Sequence, residues 1–209
     1  SRGFPEGFAR EGADLSLNIY QDDPERIAAF VKELEVHGVR VIVTIGDISD
    51  EGVVARLVDN TLKAFGRVDI LLNCAGITNP MSITEMTVQD WDRMIAVNLR
   101  SQFLTCKYVV PYMISQRSGR IINVSSQIAQ KGGTDHCHYA AAKAGVIGMT
   151  KALAWDLGKY GITCNCIAPG PIDTQMMDSV SEEWRARKRA DLALPRFGRV
   201  DEVVPTAIF

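Results

Sequence analysis

The chain is built on an alternation that leaves few folds open to it. Short apolar runs at residues 14–20, 39–45, 68–73, 120–125 and 162–168 are separated by longer amphipathic segments at 24–37, 50–65, 87–116 and 139–160. A run of that length that is apolar throughout reads as a strand buried on both faces. The first amphipathic segment opens with Pro24 and carries Ile27, Phe30, Val31 and Leu34 at helical spacing, with proline where a helix tolerates it. The second is opened by Asp50, an acidic cap residue. The segment at 87–116 reads as one or two helices, and that at 139–160 as one long helix. Strand-helix-strand repeated in this way predicts an α/β fold, a doubly wound parallel sheet with helices on both faces. No internal repeat or linker divides the chain, so residues 1–209 are read as a single domain.

Composition narrows the partners. Apolar residues make up 46% and charged residues 23%, with a formal net charge of -2. That balance gives no electrostatic reason to expect nucleic acid or an anionic membrane. No run approaches the ~18 apolar residues of a membrane span, and no signal-peptide pattern opens the sequence. The five cysteines (Cys74, Cys106, Cys137, Cys164, Cys166) are odd in number and scattered. They point to a reduced, cytoplasmic setting rather than a disulfide framework. His136-Cys137-His138 lacks a second ligand cluster, so no metal site is expected.

In parallel sheets of this kind, ligands bind at the carboxyl ends of the strands. Four strand exits are small or polar: Gly46-Asp47-Ile48, Asn73-Cys74-Ala75-Gly76, Ser125-Ser126, and Pro169-Gly170-Pro171-Ile172-Asp173-Thr174. Each alone could be turn chemistry; four together argue for a shared site. Tyr139 and Lys143 stand four residues apart on the long helix, hence on one face. A free phenol titrates near ~10. A neighbouring ammonium favours the phenolate and lowers that value, which suits a general acid and base. The same spacing also fits a surface helix with an ordinary lysine.

The ordered set Asp47, Asn73-Cys74-Ala75-Gly76, Val97-Asn98-Leu99, Asn123-Val124-Ser125-Ser126, Tyr139 with Lys143, and Pro169 through Thr174 resembles the short-chain dehydrogenase/reductase family over essentially the whole chain. The resemblance implies a Rossmann-type sheet and an NAD(P)(H)-dependent oxidoreductase that interconverts a secondary alcohol and a ketone. It implies that Tyr139 is the general acid/base and that Ser126, thirteen residues earlier, holds the same substrate oxygen. Lys143 would lower the tyrosine pKa and bind the nicotinamide ribose. Asn98 would break its helix and hold a water linked to Lys143. The implied cofactor contacts are Asp47 and Ile48 at the adenine and Asn73, Ala75 and Gly76 along the ribose. Pro169, Gly170, Ile172 and Thr174 would border the nicotinamide. Cys74 stands where the family most often has Asn.

The chain departs from the family at its start. Ser1-Arg2-Gly3 falls inside the glycine-rich turn that binds the pyrophosphate, and Phe4-Pro5 follows where the family has Ile-Gly. The segment between Gly3 and Phe8 is also about four residues short, roughly one helical turn. The expectation is that the first strand, which is central in the family's sheet, and the last strand are missing, with residues lost between Gly3 and Phe8. A natural truncation that has lost cofactor binding is the competing reading. The second family strand ends at Ile19-Tyr20, with no acid to hold a ribose 2'-hydroxyl, and Arg2 lies where NADP-using relatives carry a basic residue. NADP is therefore favoured over NAD.

Residues 175–197 form the expected substrate-specificity segment, with Met176, Met177, Val180 and Trp184 as candidate lid residues. Arg185 through Arg189 reads as a solvated basic face or an anchor for a phosphorylated carrier. The 3-oxoacyl-carrier-protein reductases of the family look similar, and Arg117 matches one of their docking positions; Tyr160 replaces the second basic residue, which puts carrier docking in doubt. The alternatives to a dehydrogenase acting on a small carbonyl or alcohol are a silent nucleotide-binding or scaffold member, and a lyase or epimerase using the same Tyr and Lys. The helices at 87–116 and 139–160 resemble those that pair between subunits, which implies a homotetramer.

Overall fold

The computed structural model describes residues 2–174, 177 and 181–209. Met176 and Val180 of the expected lid therefore lie outside the described residues. The elements follow the predicted alternation: α1 (Gly3–Arg10), β1 (Leu15–Ile19), α2 (Pro24–Glu35), β2 (Val41–Ile45), α3 (Glu51–Phe65), β3 (Ile70–Asn73), α4 (Val88–Ile95), a π turn (Ala96–Arg100), α5 (Ser101–Gln116), β4 (Gly119–Val124), α6 (Ile128–Lys131), α7 (Cys137–Leu157), β5 (Ile162–Ile167), α8 (Glu182–Ala190) and α9 (Val200–Ile208). Local chemistry sets the helix starts. Asp23 accepts from the Arg26 N–H and Asp50 from the Val53 N–H. Thr87 and Asp90 form a reciprocal box at α4, satisfying amides that a helix start leaves open.

Every strand pair is parallel. Adjacent residues of β4 show the double winding. Ile121 packs with Val109, Met113 and Leu157 in one apolar cluster. Ile122 packs with Phe4, Phe8, Leu34 and Val204 in the other. Alternating side chains of one strand thus feed cores on both faces, as expected for a sheet buried between helix layers. Among the described residues the sheet is in two parts, β1-β2 and β3-β4-β5. The free edges of β1 and β3 line a common cavity of about 1500 Å³.

Several boundaries differ from the sequence reading. The strand expected from residue 68 begins at Ile70, because the Gln116 side chain takes both backbone groups of Val68: its Oε1 accepts from the N–H and its Nε2 donates to the carbonyl. The long helix begins two residues early, at Cys137, and ends at Leu157, where a 3₁₀ turn leads into Gly161 at φ 74°. Gly3 and Gly7 serve helix packing. A Cβ on Gly3 would meet Val200 Cγ1 at 2.0 Å, and one on Gly7 would meet Val204 Cγ1 at 2.3 Å. One turn apart on α1, the two glycines let α9 approach closely.

Candidate active site

Helix α7 carries Tyr139 and Lys143 to the carboxyl end of β4. Lys143 is 4% exposed. Its Nζ donates to the Val124 carbonyl at 2.9 Å and lies 5.8 Å from the Tyr139 ring centroid. Ser125 is tied to the helix, its hydroxyl donating to the Lys143 carbonyl at 2.7 Å. Ser126 precedes α6 and accepts from the Ile128 N–H at 3.3 Å, and its hydroxyl acts on the Tyr139 phenol to pull its pKa down. Strand β4 therefore delivers two serines in sequence, one fastening the helix and one facing the tyrosine.

The electrostatics differ from the expected simple lowering of the tyrosine pKa. Burial pushes the Tyr139 phenol above its ordinary value, and the Ser126 hydroxyl pulls the other way. Lys143 is itself perturbed: burial brings its ammonium down to about 8, with Cys74 and Cys166 opposing. A charge inside a low-dielectric site is disfavoured. The ammonium spends its contact on a carbonyl and faces the ring, so proximity alone does not produce the phenolate.

Asn98 sits in the π turn between α4 and α5 and is fully buried. Its amide pins one backbone residue in both directions: Oδ1 accepts from the Ile77 N–H at 3.3 Å, and Nδ2 donates to the Ile77 carbonyl at 3.0 Å. Insertion of one residue into a helix at a functional position is the usual setting of a π bulge, so the expected helix break is present. Beside it Gly76 has no room for a side chain. A Cβ there would lie 2.7 Å from Asn98 Oδ1 and 3.4 Å from Lys143 Nζ. Bare backbone is thus exposed to the cleft between the asparagine and the lysine.

Two participants, Gln102 and Arg93, escaped the sequence reading, and Asn123 stood in a motif without a role. Gln102 donates to the Asn98 and Val124 carbonyls, both at 3.3 Å, so it shares an acceptor with Lys143; its Oε1 is buried without a partner among the described residues. Asn123 bridges Asn73 and Thr150. Arg93 reaches Asp47. The polarity of Gln102 and Asn123 inside apolar segments was the available signal; Arg93 gave none.

The cavity that separates β1 from β3 continues along the strand ends and is lined by Arg2, Gly3, Asp47, Ile48, Asn73, Ala75, Gly76, Pro169, Ile172 and Thr174. Gly170 stands outside it, facing Gln127. The Asn73 side chain turns inward, so only its backbone borders the cleft side. Ile172 is held by a parallel bridge to Gly198. Arg2 is turned onto α2, paired with Glu33 and 4.5 Å over the Phe30 ring, rather than left free for a phosphate.

These residues fit the adenosine and nicotinamide halves of a dinucleotide: an acceptor at Asp47, bare backbone at Gly76, and a lysine behind it. The pyrophosphate end is sparse. Gly3 and Phe4 present N–H groups at the start of α1, Pro5 has none, and the Glu6 N–H is used by the Arg2 carbonyl.

The chain is similar to proteins of a known family. The family model described as short chain dehydrogenase matches residues 2–185. The chain is 39% identical over 202 residues to "(2S)-[(R)-hydroxy(phenyl)methyl]succinyl-CoA dehydrogenase subunit BbsD" of Thauera aromatica, covering 97% of this chain and 80% of the relative. It is 38% identical to the 3-oxoacyl-[acyl-carrier-protein] reductase FabG of Thermotoga maritima, covering 97% and 81%. A crystal structure of a gluconate 5-dehydrogenase from Burkholderia cenocepacia in complex with NADP and tartrate superposes with a TM-score of 0.89 at 27% identity, covering 99% of this chain and 81% of that one. The chain belongs to the short-chain dehydrogenase/reductase family of enzymes.

Proposed function

We propose that the protein is an NAD(P)(H)-dependent oxidoreductase that interconverts a secondary alcohol and a ketone, with Tyr139 as the general acid/base. The observation that carries the reading is the convergence of the Ser126 hydroxyl, the Tyr139 phenol and the buried Lys143 ammonium at one strand end. A bound nicotinamide would supply or accept the hydride. Tyr139 hands its phenolic proton to the carbonyl oxygen in reduction and takes it back in oxidation. Ser126 donates a second hydrogen bond to that oxygen, where negative charge builds. Lys143 supplies positive charge behind the tyrosine and a donor toward the ribose. Asn98 and Gly76 keep the floor of the cleft in place.

NADP is favoured over NAD because Ile19 and Tyr20 end β1 without an acid. The supporting role of Arg2 is weakened by its pairing with Glu33, so the preference rests on the missing acid. The screen that tests the function measures NADH and NADPH oxidation against sugars, polyol ketones and 3-oxoacyl thioesters. Turnover of one class with stoichiometric loss of reduced cofactor supports it. Conversion without net cofactor turnover would instead mark a lyase or epimerase, and dinucleotide binding with no turnover a silent member. The thioester arm bears on the carrier-protein reading, which Tyr160 weakens.

The Lys143 value sets a pH dependence. Burial lowers this amine, so its ammonium is lost as pH rises through about 8 rather than about 10. NADPH affinity of the free protein is expected to fall above about pH 8 and, in Lys143→Met, to be weaker and flat across that range. Fluorescence titration over pH measures it. A wild-type affinity that holds level to about pH 10 would remove the lysine from this role.

Helices α5 and α7 leave Phe103, Tyr112 and Trp155 exposed, the last at 89%, and Gly148 faces open space. Apolar faces of this kind on a soluble protein mark association surfaces. A homotetramer is expected by light scattering at micromolar concentration, and Trp155→Glu should lower the mass. A monomeric wild type refutes the assembly. The cytoplasmic location proposed for the protein rests on the odd, scattered cysteines of the sequence.

A further inference from the structure

We infer that Arg93 is a positioning residue for the adenine end of the dinucleotide, acting through Asp47. The inference rests on the proposed function, which makes the Asp47 carboxylate an adenine acceptor.

The turn after β2 is held from one side by its own backbone and from the other by the π-bulged helix pair. Asp47 Oδ1 accepts twice from Ser49, from its N–H at 2.9 Å and its hydroxyl at 2.7 Å. Asp47 Oδ2 accepts from Arg93 at 2.6 Å. The same Arg93 nitrogen donates to the Ser49 hydroxyl at 3.0 Å, and Arg100 donates to the Ser49 carbonyl at 3.0 Å. A carboxylate offers about four lone-pair sites. Three are occupied, and all by groups that fix orientation. The acceptor left over belongs to Oδ2, the oxygen whose direction Arg93 sets. Asp47, Ile48 and Arg93 line the same cavity, which places the carboxylate where a ligand donor in the cleft can reach it.

Stability does not account for the arrangement. The Arg93 and Asp47 side chains are 44% and 29% exposed, and ion pairs at such sites contribute little to folding. What the pair does fix is geometry. Without the guanidinium, Ser49 still holds Oδ1, but Oδ2 loses the partner that fixes the direction of its free lone pair. The ten residues from Arg93 to Gln102 thereby touch both ends of the cleft: Arg93 and Arg100 at the adenine turn, Asn98 at Ile77, and Gln102 at the carbonyl that receives Lys143.

The test is a fluorescence titration of purified full chain with NADPH, NADH and the adenine-lacking reduced nicotinamide mononucleotide. Arg93→Ala is expected to weaken both dinucleotides about tenfold, the loss of roughly one charge-assisted hydrogen bond, and to leave the mononucleotide unchanged. In an Asp47→Asn background the same substitution should add less than about twofold, because residues that act through one group are not additive. Arg93→Lys, which keeps the charge without the planar fork, should recover part of the affinity. Undiminished dinucleotide affinity in Arg93→Ala overturns the inference, as does an equal loss for the mononucleotide, which would signal general disruption. If the wild type binds no dinucleotide, the proposed function falls and this inference falls with it; binding by the wild type with no Arg93 effect removes the inference alone.

Discussion

Tyr139→Phe is expected to lower turnover in the wild type's best reaction by about 10³-fold, within the 10²–10⁴ range of a lost general acid. The substitution removes one oxygen and keeps the ring, whose edge contact with His136 at 6.1 Å between centroids remains. The phenol is half-buried, and the Ser126 hydroxyl acts on it. Losing a hydrogen bond of that kind would cost about 0.5–1.5 kcal/mol at most. The folded state should therefore survive with a Tm within a few degrees of the parent. Dinucleotide affinity should change by no more than a few-fold, since the adenine turn and Gly76 are untouched. About 10³ in rate corresponds to roughly 4 kcal/mol of transition-state stabilisation, more than the hydroxyl can contribute to folding, so a structural explanation of the loss would fail on magnitude. Ser126→Ala should cost about 10²-fold, as one of two donors to the same oxygen. Steady-state rates with the preferred cofactor decide the matter. A Phe variant retaining a tenth of the parent rate would mean that the proton comes from elsewhere.

How much of this could be read in advance depended on whether the signal was local. The strands were legible because short, mainly apolar runs recur between amphipathic segments, and the Tyr139–Lys143 face was legible because helical spacing alone puts the two side chains together. Asn98 was legible from its place in an ordered set of motifs. The depth of Lys143 was not: spacing predicts that the ammonium is near the phenol, while its fall to about 8 comes from burial, against the opposing influence of Cys74 and Cys166. The Arg93–Asp47 pair joins residues 46 positions apart, with nothing in either neighbourhood to connect them. Gly3 was read as part of a phosphate turn, since glycine before a helix suits that use; its packing role is visible only once Val200 of α9 lies against it. Arg2 likewise had a plausible ligand until Glu33 and Phe30 of α2 took it. In each case the missing information was which distant surface the fold would bring to the residue.

The second large effect falls on stability and separates it from function. A chain of buried side chains crosses the sheet below the cleft: the Thr105 hydroxyl donates to Asn73 Oδ1 at 2.7 Å, Asn73 Nδ2 to Asn123 Oδ1 at 2.9 Å, Asn123 Nδ2 to the Thr150 hydroxyl at 2.9 Å, and Thr150 to the Val146 carbonyl at 2.7 Å. It fastens α5 and α7 to the paired residues Asn73 and Asn123 of β3 and β4. Asn123→Leu keeps the volume nearly constant and removes the acceptor of Asn73 Nδ2, whose other contact is only Cys106 Sγ at 3.7 Å. An orphaned buried donor costs about 1–3 kcal/mol, so Tm should fall by roughly 5–10 °C for a chain of this size. Adding Asn73→Leu should recover part of that loss, because replacing both partners by apolar groups of similar shape approaches neutrality. Thr105 then still donates to the Ser101 and Gln102 carbonyls, and Thr150 to Val146, leaving neither hydroxyl orphaned. Turnover should not recover with it: the residues after Asn73 and Asn123 are the Gly76 floor and the Ser125–Ser126 pair, whose spacing the amides set. Thermal unfolding and steady-state rates on the single and double variants test both halves. A double variant less stable than the sum of its singles would show that the amides contribute cohesion rather than alignment. One that regained both stability and rate would show that apolar packing alone holds the strand ends where the chemistry needs them.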